Sequence, residues 1–162
     1  MVEKKELLCR RNGHEHSIEV SGKPDFATVT YNKAHAYTNA GTYLITATVS
    51  APNYNDLSLD ATLKINPIDL TGITFTGDTV EYDGNPHTIE IAGNLPQTAT
   101  VTYTSNIDGV TNTATTPGTY VITATITDNN YNTLSLDATL SITLNDKERE
   151  MVVAGDVLYF QN

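Results

Sequence analysis

The chain contains itself twice. Gly13-x-x-His16-Ser17-Ile18-Glu19-Val20-Ser21-Gly22 returns 71 positions later as Gly84-x-x-His87-Thr88-Ile89-Glu90-Ile91-Ala92-Gly93. Thr28-Val29-Thr30-Tyr31 returns as Thr100-Val101-Thr102-Tyr103, and Gly41-Thr42-Tyr43-Leu44-Ile45-Thr46-Ala47 returns 77 positions later as Gly118-Thr119-Tyr120-Val121-Ile122-Thr123-Ala124. Asn53-Tyr54-Asn55 and Leu57-Ser58-Leu59-Asp60-Ala61-Thr62-Leu63 recur at that same offset of 77. The growth in offset places a short insertion in the turn-rich loop 104–117. A fold for this chain must therefore be completed within one repeat and be able to follow itself in tandem.

Within each repeat the apolar residues alternate. Tyr43, Ile45, Ala47 and Val49 are separated by Leu44, Thr46 and Thr48; Leu57, Leu59, Ala61, Leu63 and Ile65 are separated by Ser58, Asp60, Thr62 and Lys64. Period 2 is the mark of strands with one face on a core, and Thr, Val, Ile and Tyr suit that surface. Five or six short strands per repeat predict an all-β chain of two small Ig-like β-sandwich domains. A β-grasp-like repeat is the alternative. Only 3–8 and 145–151 offer weak helical character.

Boundaries follow. Residues 1–65 form the first repeat, 66–72 a short linker at Asn66-Pro67, and 73–143 the second repeat. Residues 144–162 form a charged linker and an extra C-terminal strand. That strand aligns at an offset of 78 with the opening of the second repeat: Met151-Val152-Val153-Ala154-Gly155-Asp156 against Ile73-Thr74-Phe75-Thr76-Gly77-Asp78. It reads as the first strand of a third repeat. The first repeat opens differently, with Arg11-Asn12-Gly13 where the second has Tyr82-Asp83-Gly84.

Charge excludes several functions. The net charge is -10, and 65–146 hold nine Asp or Glu and no Lys or Arg. A stretch without cations neither neutralises phosphates nor docks on anionic lipid, so no nucleic-acid partner is expected. No apolar run approaches the roughly 20 residues of a membrane helix, so no membrane insertion is expected. The start lacks the apolar stretch of a signal peptide. The single Cys9 cannot form a disulfide within its chain; its counterpart is Val80, so it stands in for a small apolar residue.

Tyr82-Asp83-Gly84-x-x-His87-Thr88-Ile89-Glu90-Ile91, Leu95-Pro96, Val101-Thr102-Tyr103, Pro117-Gly118-Thr119-Tyr120 and Ala138-Thr139-Leu140-Ser141-Ile142 occur in that order. Together they resemble an MBG-type repeat, a tandem β domain of bacterial, mostly Gram-positive, cell-surface and adhesin proteins. The resemblance implies extracellular display, a stalk or adhesive role, and no catalytic residues.

The candidate residues are few. Tyr54 and Tyr131 sit in Asn-Tyr-Asn triplets; with Asn130 and Asn132 they could form an aromatic and amide platform for a sugar, or simply plug the end of the sandwich. Tyr43 and Tyr120 follow Gly41 and Gly118 at strand starts and suit the structural corner tyrosine of Ig-like sandwiches. His16 and His87 recur at the start of a strand and read as structural. His14, Asp25 and His35 do not make a metal site with His16, because the matching His87 has no histidine neighbour. Asp128-Asn129-Asn130 and Asp56 lack a Ca²⁺ loop pattern, and the Asn cluster reads as a turn with positive φ. The absence of Lys from the second repeat excludes a Lys–Asn cross-link there, and Lys23 and Lys33 of the first fall near loops. No nucleophile elbow, zinc-protease helix or phosphate loop occurs. The expected role is a non-catalytic spacer without cofactor. Two alternatives stand beside it: an adhesive module for glycan, mucin or host protein, and head-to-tail self-association by strand exchange through 151–160.

Overall fold

A computed structural model describes residues 5–145. The chain divides into two compact units. One comprises the residues up to Asp69 together with Asn129–Asn132; the other comprises Leu70–Asp128 and the residues from Thr133. All regular structure among the described residues is β, so the helix that a β-grasp repeat needs is missing. The proposed extra C-terminal strand lies outside the described residues.

Among the described residues the first unit has six strands: β1 (Lys5–Arg10), β2 (His16–Ser17), β3 (Thr28–Tyr31), β4 (Ala36–Tyr37), β5 (Gly41–Ser50) and β6 (Leu57–Asn66). They form a four-stranded sheet, β1-β6-β5-β3, and a two-stranded ladder, β2-β4. The alternation of β5 and β6 sets the core: Ile45, Leu63 and Ile65 are buried, and Cys9, Ile18, Tyr31, Tyr37 and Tyr43 pack against them. The core thus draws side chains from the large sheet and from beside the small ladder, which is how a sandwich buries one face of each layer.

Helical character at 3–8 does not survive for the described part of that stretch. Lys5–Arg10 runs parallel to β6, with Leu7 opposite Leu63 and Cys9 opposite Ile65. The first repeat therefore has its opening strand. The tertiary partner overrides the helix propensity of Lys-Glu-Leu-Leu.

The second unit carries β7 (Thr74–Phe75), β8 (Asp78–Glu81), β9 (His87–Thr88), β10 (Ile91–Ala92), β11 (Thr100–Ser105), β12 (Thr113–Ala114) and β13 (Gly118–Asp128), with most of β14 (Tyr131–Thr143). That exceeds the expected five or six because several strands are only two residues long. The large sheet is β11-β13-β14-β8, faced by β12-β9 and β10-β7. Val80 stands opposite Ile142, as Cys9 does opposite Ile65. The core comprises Ile89, Ala114, Tyr120, Ile122, Ala138, Leu140 and Ile142, with Phe75, Val80, Tyr103 and Val110 against it.

The two units part ways at their opening strands. β1 stays on β6 back through Glu6 opposite Thr62 and Lys5 opposite Ala61. In the second unit the ladder with β14 begins only at Asp78, opposite Leu140. Upstream, Phe75 and Thr74 pair instead with Ile91 and Ala92. Gly77 marks the departure: a Cβ there would overlap the backbone of Thr139. Glu6 holds the matching position in the first repeat.

Candidate functional site

The corner tyrosines fold back over their glycines. Tyr43 Oη donates to Asn39 O at 3.0 Å, and Tyr120 Oη donates to Thr116 O at 2.7 Å with Thr116 Oγ1 at 2.8 Å. Glycine at Gly41 and Gly118 leaves room for the ring, since a Cβ would lie 2.9 Å from the Tyr43 hydroxyl and 3.2 Å from that of Tyr120. Tyr43 also stacks on Tyr37, with centroids 3.6 Å apart.

The histidines are scattered. His87 Nε2 lies 2.9 Å from Asp83 Oδ1. Asp83 also accepts from Asn85 N at 2.9 Å and from Asn85 Nδ2 at 3.1 Å. The Asn85 backbone N–H, then the Asn85 amide and His87, hold the Asp83 carboxyl down from its ordinary 3.8 to about 2. In the first unit Asn12 Oδ1 accepts from His14 N at 3.0 Å, the same local turn with Asn in place of Asp. His16 Nε2 there is buried without a hydrogen-bond partner among the described residues. His35 stacks on Tyr31 at 4.0 Å. Among the described residues no three His, Cys, Asp or Glu gather at a point suited to a metal ion.

The Asn-Tyr-Asn triplets, alike in sequence, differ in surroundings. Within the first unit the segment Asn129–Asn132 is held by several bonds. Ala40 N donates to Asn130 Oδ1 at 2.9 Å, Asn132 N donates to Ile68 O at 2.9 Å, and Asn132 Nδ2 donates to Asp69 Oδ1 at 2.6 Å. The Arg11 guanidinium lies 5.0 Å from the Tyr131 ring centroid. Tyr54, in contrast, is 71% exposed and plugs nothing. The turn at Asn129-Asn130 does not use positive φ. Among the described non-glycine residues that conformation occurs at Asn53, with φ 66°.

Tyr54 has an aromatic neighbour that the sequence reading missed. Phe26, 60% exposed, lies with its ring centroid 6.3 Å from that of Tyr54, at 31° between planes. Leu57, also exposed, opens β6 just after that loop. Phe26 tops a turn closed by Ala27 N donating to Pro24 O; the second unit repeats that turn with Ala99 N and Pro96 O. There Thr98 takes the place of Phe26 and Asp128 that of Ala51, and Thr98 Oγ1 donates to Asp128 Oδ2 at 2.5 Å. One repeat thus closes this edge with a polar pair, and the other presents two rings. Comparing the repeats for unlike residues at positions 26 and 98 would have found it.

The outer face of each large sheet is mostly polar. Thr46 Oγ1 donates to Asp60 Oδ1 at 2.7 Å, and its counterpart Thr123 Oγ1 donates to Asp137 Oδ1 at 2.6 Å. Leu44 and its counterpart Val121 interrupt that face as single exposed apolar residues. No helix of the described residues is long and apolar enough to cross a membrane.

A family model described as the MBG domain matches the chain twice, at residues 7–68 and 71–146. No curated protein matches the sequence. Among solved structures, human protocadherin-24 EC1-2 is similar at 9% identity and a TM-score of 0.35, over 86% of this chain and 94% of that one. The tandem Ig repeats of Dlar are similar at 13% identity and a TM-score of 0.33, over 89% of this chain and 97% of that one.

Proposed function

We propose, on the premise that the chain belongs to the MBG domain family, that it is a non-catalytic spacer repeat of a bacterial cell-surface protein, displayed outside the cell and able to carry tension. The observation that carries this reading is the pairing of the opening strand of each large sheet with the last. β1 runs parallel to β6 over six register pairs, and β8 runs parallel to β14 over four. In a parallel pair, the start of the first strand and the end of the last lie at opposite ends of the ladder. Pulling on those ends loads all the bonds in shear, so they must fail together rather than one by one. Parallel bonds are evenly spaced, which shares the load. Forced unfolding is governed by the unfolding barrier rather than by equilibrium stability.

Pulling single molecules by their ends tests this. Two separate unfolding events are expected, each releasing roughly 200 Å of chain for about 60 residues. Smooth extension without force peaks would overturn the spacer reading.

A second reading is favoured by the Phe26–Tyr54 pair. Two exposed rings flanked by the amides of Asn53 and Asn55 suit the faces and hydroxyls of a sugar. With a net charge of -10, a neutral glycan is a better fit than a sialylated mucin chain or another anionic one. In this reading the adhesive surface lies at Tyr54 rather than at Tyr131, Asn130 and Asn132, whose groups are engaged within the first unit.

A further inference from the structure

Among the described residues, the first unit has no counterpart of the element that Phe75 supplies to the second. In the second unit Phe75 pairs with Ile91, packs on the core and lies 5.8 Å from the Tyr103 ring; Ile91 N donates to Tyr103 Oη at 3.3 Å. The counterparts of Ile91, Ala92 and Tyr103 are Val20, Ser21 and Tyr31. Val20 and Ser21 belong to none of the described strands, and Tyr31 turns to His35 instead. Beside them is a cavity of about 220 Å³ whose lining includes the apolar Ile18, Val20, Leu59 and Ala61 and the carboxylates Glu19 and Asp60. Two of its walls show what is absent: Ile89 and Ala138 are buried in the second unit, while their counterparts Ile18 and Ala61 are only half-buried. The cause is upstream. β1 remains on β6 through Lys5 and Glu6, where the second unit crosses over at Thr76-Gly77 to pair with β10.

We propose that this cavity is a strand-acceptor site, and that its occupant is Met151–Ala154 of a second copy of the chain. The sequence of that segment is the argument for it. Aligned on Gly155-Asp156 with Gly77-Asp78, Val152 and Val153 take the places of Thr74 and Phe75. The register of the second unit then sets Val153 opposite Val20 and Val152 opposite Ser21. The β8 position of the acceptor is already filled by β1, so only this short β7-like stretch is accepted. An apolar cavity of about 150 Å³ accommodates a guest the size of benzene, so the space suffices for a valine side chain. Backbone groups at Val20 and Ser21 that pair with no strand among the described residues supply the ladder and the cavity supplies the side-chain site, the two parts of β-strand addition. Donor and acceptor on one chain make the contact heterologous, so copies join head to tail. The inference stands on the comparison of the two repeats and does not depend on the spacer reading.

Complementation tests it. The full chain, followed by light scattering up to millimolar concentration, is expected to grow in average mass with concentration. Val153→Asp removes the donor and Val20→Asp the acceptor, so each variant alone is expected to stay monomeric. Their equimolar mixture is expected to double in mass and go no further, since each variant keeps one working half. A peptide of residues 150–156 should shorten the wild-type chains, and its Val153→Asp form should not; this holds even if Val20→Asp fails to fold. A wild-type chain that remains monomeric overturns the proposal. Growth of Val153→Asp equal to wild type overturns the choice of occupant.

Discussion

Gly77 packs backbone to backbone against Thr139, with no room for a side chain between them. The obstacle is a main-chain carbonyl, which cannot swing away as a side-chain tip would. Gly77→Ala is therefore expected to destabilise the second unit by about 1–3 kcal/mol, the usual cost of overpacking a fixed contact. Urea unfolding followed by far-UV circular dichroism would show it. Glu6→Ala, at the matching position of the first repeat, is expected to change stability by no more than about 0.5 kcal/mol, because Glu6 is exposed and the backbone there runs on along β6. Equal losses at the two positions would contradict the divergence of the opening strands.

Asp83 gives the second unit a defined acid response. Its folded-state carboxyl titrates near 2, below its ordinary 3.8, because the Asn85 N–H, the Asn85 amide and His87 all favour the charged form. A depressed carboxylate contributes stability fully above its unfolded value, and that contribution is lost as pH falls through the folded value. The advantage of wild type over Asp83→Asn in Tm is thus expected near neutrality and to shrink between about pH 4 and pH 2. The first unit supplies the reverse experiment. With Asn12 in place of Asp83, His16 Nε2 has no partner among the described residues. Asn12→Asp is expected to stabilise the first unit by about 0.5–1.5 kcal/mol, the net worth of a hydrogen bond gained by that nitrogen. An unchanged Tm in both variants would mean that the Asp–His contact does no more than decorate the surface.

The duplication made much of this fold legible. Strand period, corner tyrosines and the substitution of Cys9 for Val80 follow from lining up two copies of one pattern, because equal residues at equal spacing meet equal neighbours. The parts that could not be read are those where neighbours differ. Tyr54 and Tyr131 share a triplet, yet Tyr131 meets Arg11 while Tyr54 meets Phe26. Lys5 and Glu6 look helical alone, and only the edge of β6 makes them a strand. The acceptor cavity was invisible because it arises from a path of the backbone, decided at Gly77 against Glu6, rather than from the residues lining it. Positive φ was expected at Asn129-Asn130 and occurs instead at Asn53, since residue type alone does not fix a turn's conformation.

The Phe26–Tyr54 surface can be removed with changes the fold already tolerates. Phe26→Thr with Ala51→Asp copies into the first unit the pair that bonds in the second, Thr98 to Asp128. The double variant is expected to unfold within about 0.5 kcal/mol of wild type, as exposed substitutions do. If the pair binds neutral sugars, wild type should show saturable binding to a panel of uncharged oligosaccharides, and the variant should show at least a tenfold loss. Tyr131→Ala should leave that binding unchanged. Wild type that binds no uncharged oligosaccharide would sink the adhesive reading, and the spacer reading would be unaffected.

The two corner tyrosines rank in a predictable order. Tyr120 is buried, and its hydroxyl lies within hydrogen-bond distance of both Thr116 O and Thr116 Oγ1. Phenylalanine there would leave Thr116 O without its donor and Thr116 Oγ1 without its partner, a net cost of about 1–1.5 kcal/mol. Tyr43 is only half-buried and makes one such bond, to Asn39 O, where water can substitute. Tyr43→Phe is accordingly expected to cost less, about 0.5–1 kcal/mol. Its stacking on Tyr37 needs no hydroxyl, so that contribution survives the change. Thermal unfolding of the two single variants, each compared with wild type, checks the order. If Tyr43→Phe proved the more damaging, the hydroxyl of Tyr43 would have to serve something beyond its bond to Asn39.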